Sequence, residues 1–280
     1  MKKTFRILSL AMVATSILFF GCKKEEEEEV DPFCKEQTKA VLVEEFTGIN
    51  CGWCPVGHRI VNDLMAQHPG KVFGINVHAG AYAAAYTTEF GSALVNQSNL
   101  TGYPAGTVNR HVFPGLSMNS GTAMGRNSFE NAANQILQQT ACANIKASAT
   151  IDQATRELTV NVSMYYTSAP NRSMNFIHVA LLQDSIWGPQ SNGQTNNPAQ
   201  YDAATGKYCH MHMLRHLVTG QWGESFTPTV GEQIDKTFTY TIPAQISNED
   251  VILNHLEVVA FITETRQEVI NACNAPITLK

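Results

Sequence analysis

The sequence predicts two structural classes in succession: an α/β domain over residues 39–140 and an all-β antiparallel sandwich over residues 141–280. Before residue 140, short runs rich in Val and Leu alternate with segments in which apolar residues recur at a helical period. After residue 140 that period disappears, and apolar and polar residues alternate strictly. The first pattern is typical of an α/β layer architecture, and the second is typical of strands with one buried face.

The α/β part is predicted from strands and helices that follow one another along the chain. Residues 39–46 (KAVLVEEF) form a short apolar strand, and residues 55–68 place four aliphatic side chains on one helical face. The turn His68-Pro69-Gly70 ends this helix. The remaining elements are expected to be a strand at 71–78, a helix at about 89–97, a strand at 106–113 and a helix at 127–140.

The sandwich part begins with a predicted hairpin. The segments NIKASATI (144–151) and ELTVNVSMYY (157–166) alternate strictly and are joined by the polar turn DQATR. A long polar segment, residues 188–206, is expected to be a surface loop. Further strands are predicted at 176–183, 236–243 and 256–263.

The N-terminus predicts export and a lipid anchor. A basic head and the apolar run of residues 7–20 form a signal peptide, residues 1–21, which is left out of the fold. Gly21-Cys22 resembles the cleavage box of bacterial lipoproteins, so Cys22 is the expected lipidation site. The alternative is a plain signal peptide with an incidental cysteine.

An acidic tether is predicted over residues 22–38. Five consecutive glutamates, residues 25–29, repel one another and cannot pack. This run also resembles the acidic export signal of surface lipoproteins of the Bacteroidota, which implies an outer-membrane protein exposed on the cell surface. The formal net charge is −5, and removal of residues 1–21, with three basic residues and no acidic one, makes it −8 (−5 − 3). This balance disfavours a nucleic-acid partner.

Cys51 and Cys54 form a Cys-Gly-Trp-Cys motif between a predicted strand and a predicted helix. A helix N-terminus stabilises a thiolate, so we expect Cys51 to lie at the exposed end of the turn and to attack. Cys54, one turn inside, would resolve the mixed disulfide, and Trp53 would give a substrate an apolar surface. The other cysteines after Cys22 allow three pairings that remain open: Cys34, Cys142, Cys209 and Cys273.

Residues 39–140 resemble a thioredoxin-fold domain through VLVEEF, the Cys51–Cys54 motif and GYPAGTV. The resemblance implies that Pro104 is cis and faces the dithiol, and that the backbone of Tyr103 pairs with substrate. It also implies that Glu45 is a buried acid that exchanges protons with Cys54, although the neighbouring Glu44 could take this role. Pro55 departs from the usual thioredoxin pattern, but proline is tolerated in a first helical turn.

The mature chain is similar to a narrower family, related to the twenty-eight-kilodalton outer-membrane lipoprotein of Bacteroidota. EEFTG followed by the Cys-x-x-Cys-Pro motif and the later segment YCHMHMLRHLVTGQWGES (208–225) carry this likeness. It supports the architecture and the outer-membrane address rather than a reaction.

Two functions of different classes follow. The first is a thiol–disulfide oxidoreductase that acts on exported or surface proteins, needs no cofactor, and uses the sandwich for docking or as a homodimer interface. The second is a surface binding protein or adhesin in which the thioredoxin-like domain is a scaffold and the sandwich carries the interaction.

Metal sites are the weaker alternatives. Cys51, Cys54 and His58 could offer ligands to copper, because Cys54 and His58 share one helical face. On a strand His210 and His212 would share a face and could form a two-histidine site. We instead expect His58 to lie on the helix surface, and the second cluster to lie on a solvated or interface face.

Overall fold

The computed structural model describes residues 31–280, which form one compact unit. The predicted signal peptide, the lipidation site Cys22 and the first part of the predicted tether lie outside the described residues. Residues 31–38, which were expected to belong to the tether, instead pack on the protein. Phe33 is buried, and the Asn144 side-chain amide donates hydrogen bonds to the carbonyls of Phe33 (2.7 Å) and Lys35 (2.6 Å).

The first part of the chain has the predicted alternation of strands and helices. Its elements are β1 (Val41–Thr47), α1 (Cys54–Gln67), β2 (Val72–His78), α2 (Gly91–Ser98), β3 (Ala105–Val108), β4 (Ala123–Gly125) and α3 (Phe129–Leu137). Strands β1 and β2 are parallel, with Thr47 opposite His78, and β3 runs antiparallel to β1. Apolar side chains of α1 and α3 cover one face of these strands.

The second part is almost entirely β. Its longer strands are β5 (Ala143–Asp152), β6 (Glu157–Tyr166), β7 (Asn175–Gln183), β13 (Gln233–Thr241), β16 (Leu256–Glu264) and β17 (Glu268–Asn274). Its short strands are β8 (Ile186–Gly188), β9 (Tyr201–Asp202), β10 (Lys207–His210), β11 (Met213–Leu217), β12 (Glu224–Phe226), β14 (Gln245–Ile246), β15 (Glu249–Asp250) and β18 (Ile277–Leu279). One short helix, α4 (Gly193–Asn196), lies in the segment expected to be a loop.

A nine-stranded sheet runs across residue 140. Its order is β17-β16-β7-β11-β2-β1-β3-β4, with β12 paired to β7. The strands expected to belong only to the sandwich therefore continue the sheet that holds β1 and β2. The runs FIHVALLQ and LEVVAFIT explain this placement, because nearly continuous apolar strands are typical of burial on both faces.

The predicted hairpin is present as β5 and β6, paired from Ala143 opposite Tyr166 to Asp152 opposite Glu157. These strands belong to a four-stranded sheet of order β13-β6-β5-β18. Its inner face packs on alternate residues of β7 and β16, such as Val179. The opposite side chains of β7 and β16, such as Leu182, join the core around β1, β2 and α2. The protein is thus mostly β, with two large sheets that share a core.

Candidate active site around Cys51 and Cys54

Cys51 and Cys54 form a disulfide at the start of α1, with their Cα atoms 5.4 Å apart. Strand β1 ends at Thr47, and a six-residue loop then leads to Cys54, the first residue of the helix. Pro55 lies in the first turn, where no backbone N–H is required for the helix. Trp53 projects into solvent with 60% of its surface exposed, and the Arg126 guanidinium lies 5.4 Å from its ring centre.

The expectation that Cys51 is exposed is wrong: 5% of its surface is accessible, and Cys54 is fully buried. Residues 189–197, which we call the covering segment, pack over the loop. The side chain of Gln190 donates to the carbonyls of Cys51 (3.0 Å) and Gly48 (3.3 Å), and Asn196 donates to the Gly52 carbonyl (2.6 Å). Sequence reasoning missed this contact because polar residues suit a solvated loop and a covering loop equally.

A second loop borders the disulfide on another side. The backbone N–H of Asn50 donates to the Tyr82 carbonyl (3.1 Å), and a Cβ at Gly48 would overlap that carbonyl. The Tyr82 ring meets the Tyr103 ring edge-on, with centres 5.5 Å apart. The peptide bond between Tyr103 and Pro104 is cis, as the sequence predicts.

Glu45 is a buried acid on the α1 side of β1. Its carboxylate oxygens have no hydrogen-bond partner among the described residues, and a Cβ at Gly57, one turn after Cys54, would overlap Oε1. Burial raises the pKa of Glu45 well above its ordinary value, and the positive charge of Arg126 offsets part of that rise. Burial beneath the first turn of the dithiol helix therefore favours the neutral form of Glu45 over its carboxylate.

Glu44 does not lie beneath the first turn of α1, because its side chain points to the opposite face of β1. Its two oxygens accept hydrogen bonds of 2.7 Å each from Arg110, and the Thr107 hydroxyl donates a third of 3.2 Å. Both members of the ion pair are 3% exposed. Since alternate strand residues point to opposite faces, the two neighbouring glutamates have separate roles.

His58 is buried, so the expectation of a surface residue is wrong. Its Nε2 lies 2.8 Å from the Thr47 hydroxyl and its Nδ1 lies 2.9 Å from the Tyr208 hydroxyl. Tyr208 donates its proton to Gln200 Oε1 (2.8 Å), so His58 must donate from Nδ1 and accept at Nε2. Burial, with smaller effects of His210 and His212, lowers the pKa of His58 to about 3.

A buried histidine–tyrosine cluster extends from His58. His210 lies 6.4 Å from His58 and 5.2 Å from His78 between ring centres, and Tyr86 packs against both His78 and His210. The expectation of a solvated face for His210 is therefore wrong. Burial lowers the pKa of His210 to about 4 and, with the charges of His210, His58 and Arg215, lowers that of His78 well below 6.5.

His210 and His212 do not form the two-histidine site, because the chain leaves the strand between them. β10 ends at His210, and His212 has a left-handed backbone with φ of 51°. His58 uses both ring nitrogens in hydrogen bonds, so the proposed copper ligands are not assembled either. Within residues 31–280, Cys34, Cys142, Cys209 and Cys273 are not bridged.

Two signals in the sequence could have located the buried cluster. Cys54, His58 and Val61 follow the i, i+4, i+7 spacing of one helical face, and Val61 is apolar, which marks that face as the buried one. His78 ends a strand parallel to β1, at the sheet edge where Thr47 also ends. No local pattern could have brought Tyr208 to His58, which is 150 residues away.

The fold and the disulfide-bearing loop define a mostly β protein with a cysteine pair at the N-terminus of its first helix. The family model for outer membrane protein Omp28 matches residues 91–279, which are 189 of the 280 residues. The chain belongs to the Omp28 family and is an outer-membrane protein. Cys51 and Cys54 precede the matched segment, and Pro104 and Tyr208 lie within it.

Solved structures with TM-scores above 0.5 share the fold at low identity. HBP35 of Porphyromonas gingivalis is 17% identical, with a TM-score of 0.65 over 87% of this chain and 79% of its own. A protein of Agrobacterium tumefaciens is 8% identical, with a TM-score of 0.51 over 86% of this chain and 96% of its own. A domain of the P. gingivalis outer membrane lipoprotein Omp28 is 21% identical over 50% of this chain and 91% of its own, with a TM-score of 0.34.

No curated protein matches the sequence. In the part of the chain that the structure describes, no helix is long and apolar enough to cross a membrane.

Proposed function

We propose that this protein is a lipid-anchored thiol–disulfide oxidoreductase of exported proteins, with a thioredoxin-like domain at residues 39–140 that carries the Cys51–Cys54 pair. The observation that carries the proposal is the position of the disulfide: it lies at the first turn of α1, above the buried Glu45, whose oxygens accept no hydrogen bond from residues 31–280 and whose pKa is raised by burial. Helix N-termini stabilise thiolates, and a buried neutral acid can supply a proton.

The exchange begins when a substrate thiolate attacks the sulfur of Cys51. The Cys51–Cys54 bond breaks, a mixed disulfide forms at Cys51, and Cys54 leaves as a thiolate that Glu45 protonates. A second substrate thiolate then attacks the substrate sulfur of the mixed disulfide and releases Cys51. The substrate dithiol loses two electrons and two protons, and the Cys51–Cys54 disulfide gains them and becomes a dithiol. Every step is reversible, so the reduced protein reduces substrate disulfides by the same route.

Access to Cys51 requires the covering segment to move, because 5% of the Cys51 surface is accessible. Trp53 remains 60% exposed and Tyr82 47% exposed, so a substrate chain can contact this rim first. Loss of the hydrogen bonds from Gln190 and Asn196 would then uncover the sulfur. Exposed aromatic residues beside a buried reactive atom suit extended protein substrates.

The test is expression of Cys54→Ser in the native compartment, followed by non-reducing gels. Cys51 can attack in this variant, but nothing resolves the product, so mixed disulfides with exported proteins should accumulate. The double variant Cys51→Ser/Cys54→Ser should show none, and Cys209→Ser should behave like the wild type. If no Cys51-dependent adduct forms and the wild-type protein also fails to reduce insulin, the oxidoreductase proposal is wrong.

The burial of Cys51 favours a second candidate, a surface binding protein in which the bridged Cys51–Cys54 pair only stabilises the fold. This candidate predicts a pair that stays oxidised in cells and no adducts from Cys54→Ser. In both candidates the glutamates at 25–29 act as an export signal to the cell surface. Their replacement by glutamine should then lower protease accessibility on intact cells, and unchanged accessibility would leave them a tether.

A further inference from the structure

A second cluster of side chains lies where three neighbouring strands of the nine-stranded sheet meet. Asp184 directly follows β7, His212 directly precedes β11, and Glu257 is the second residue of β16. The strands are adjacent in the order β16-β7-β11. The cluster therefore joins three segments that are far apart in the sequence, and it contains none of the residues of the disulfide site.

The donor atoms converge around one point. Nδ1 of His212 lies 2.8 Å from Glu257 Oε2 and 3.5 Å from Asp184 Oδ1. All three donor atoms lie within 4.8 Å of one another. In a tetrahedral zinc site with bonds of about 2.0–2.2 Å, donors are about 3.3–3.5 Å apart. The Asp184–His212 separation already fits, and the Glu257 carboxylate needs to shift by about half an ångström.

Backbone contacts fix two of these side chains in place. The backbone N–H of His212 donates to Asp184 Oδ1 (2.7 Å), and the Asp184 N–H donates to the His255 carbonyl (2.9 Å). His212 also holds a left-handed backbone conformation, which a non-glycine residue adopts at a cost in free energy. The imidazole is thereby aimed at the two carboxylates instead of continuing along the strand.

The charge and the access of the cluster suit a small cation. Two carboxylates face one imidazole, so with both carboxylates ionised the group carries excess negative charge whichever protonation state His212 adopts. The side chains of His212, Asp184 and Glu257 are 12%, 21% and 37% exposed, so an ion can enter from solvent. Glu257 also lines a cavity of about 310 Å³, together with Val72, Gly74 and Pro276.

We propose that Asp184, His212 and Glu257 form a binding site for a divalent transition-metal cation of the Zn²⁺ class, with Nδ1 and two carboxylate oxygens as ligands and water in the fourth position. The mixed nitrogen and oxygen donors favour zinc-like ions over Mg²⁺ or Ca²⁺, which prefer oxygen alone. The site is independent of the proposed redox function, because none of its ligands contacts the Cys51–Cys54 loop.

The test is a calorimetric titration of the full-length oxidised protein with ZnCl₂, compared with His212→Asn and Glu257→Gln. Asparagine accepts the left-handed backbone at position 212, so His212→Asn removes the imidazole with little strain. We expect the wild type to bind one Zn²⁺ per chain and each variant to lose affinity by ~10-fold or more. The matched control is His111→Asn, since His111 lies 3.0 Å from Glu268 in a pair that lacks a second carboxylate. It should bind like the wild type.

Thermal unfolding supplies a second readout that does not depend on calorimetry. Zn²⁺ should raise the Tm of the wild type and of His111→Asn, and should not raise that of Glu257→Gln, in which glutamine keeps the size of the partly exposed side chain. Equal Zn²⁺ affinity of wild type and Glu257→Gln would overturn the proposal. So would binding that disappears in Cys209→Ser and survives in Glu257→Gln, because the metal would then sit on the thiol.

Discussion

The side-chain amide of Gln190 donates a hydrogen bond of 3.0 Å to the carbonyl of Cys51. The two residues are 139 positions apart, and the bond joins the covering segment to the first cysteine of the Cys51–Cys54 pair. Asn196 makes the equivalent contact with Gly52. The accessibility of the disulfide therefore depends on a segment from the other half of the chain.

The double variant Gln190→Ala/Asn196→Ala should expose the disulfide. The two side-chain amides donate three hydrogen bonds of about 1 kcal/mol each on average, so their loss should raise the open population, and the rate of disulfide reduction by dithiothreitol, by about 100-fold. The matched control is Gln194→Ala on the exposed side of the same segment. Equal reduction rates in all three proteins would mean that the covering segment does not limit access.

Glu45→Gln should change how stability depends on pH. The folded pKa of Glu45 is raised, so between the unfolded value of about 4.5 and the folded value the unfolded chain binds fewer protons than the folded chain. Wild-type stability is thus present at low pH and is lost as pH rises through this window. Glutamine cannot ionise, so the variant should lack this loss. Urea unfolding from pH 5 to pH 9 measures the unfolding free energy of both proteins. Parallel plots of this free energy against pH for the two proteins would contradict the prediction.

Glu44→Gln should destabilise the protein at neutral pH. It removes the buried partner of Arg110 and leaves that guanidinium without its counter-charge, which costs about 3–5 kcal/mol of unfolding free energy. The measurement is the urea midpoint at pH 7 beside that of Glu45→Gln. A loss below 1 kcal/mol would show that Arg110 finds solvent or another acceptor.

His78→Phe should make the protein less sensitive to acid. The pKa values of His58, His78 and His210 are all lowered in the fold, to about 3 for His58 and about 4 for His210. As pH falls below the unfolded value of about 6.5, the unfolded chain takes up protons that the folded chain refuses, so stability is lost. Each such histidine contributes a slope of up to ~1.4 kcal/mol per pH unit.

Replacement of His78 should reduce the pH dependence of the unfolding free energy between pH 6 and pH 4.5 by the contribution of one proton, up to ~1.4 kcal/mol per pH unit. The control Tyr86→Phe alters a ring that packs on His78 without changing the number of protons bound in this range. It should shift stability by a constant amount at every pH. A slope for His78→Phe that equals the wild-type slope would mean that His78 becomes charged within the fold.

Cys22→Ala should release the protein from the membrane. The sequence places Gly21-Cys22 directly after the apolar run of the signal peptide, and bacterial lipoproteins are anchored through an acylated cysteine at that point. Fractionation of cells that express the variant should find it in soluble fractions. Wild-type levels in the membrane fraction would exclude Cys22 as the anchor.

Local patterns predicted local structure well. The alternation in NIKASATI and ELTVNVSMYY predicted the β5–β6 hairpin, and the apolar spacing after Cys54 predicted α1 to within two residues at each end. Both elements form from contacts between residues close in the sequence. The strand pattern places Glu44 and Glu45 on opposite faces of β1, but it does not specify which of the two faces meets α1.

Long-range contacts were not predictable from the same patterns. The burial of Cys51 depends on Gln190 and Asn196, and the burial of His58 depends on Tyr208. The Asp184–His212–Glu257 cluster likewise depends on the order of three strands, which periodicity does not specify. Polar residues that meet across such distances in the sequence cannot be told from ordinary hydrophilic segments by their local pattern.

The sheet that runs across residue 140 has a consequence for truncation. If the chain were cut after residue 140, β2 would lose the neighbour that accepts the Asn76 N–H at the carbonyl of His212 (2.8 Å). β2 is buried along its whole length in the intact protein, so the fragment would present at its edge a seven-residue strand that is normally covered. Such an edge is a template for pairing with other chains. We therefore expect the two halves to fold as a single unit.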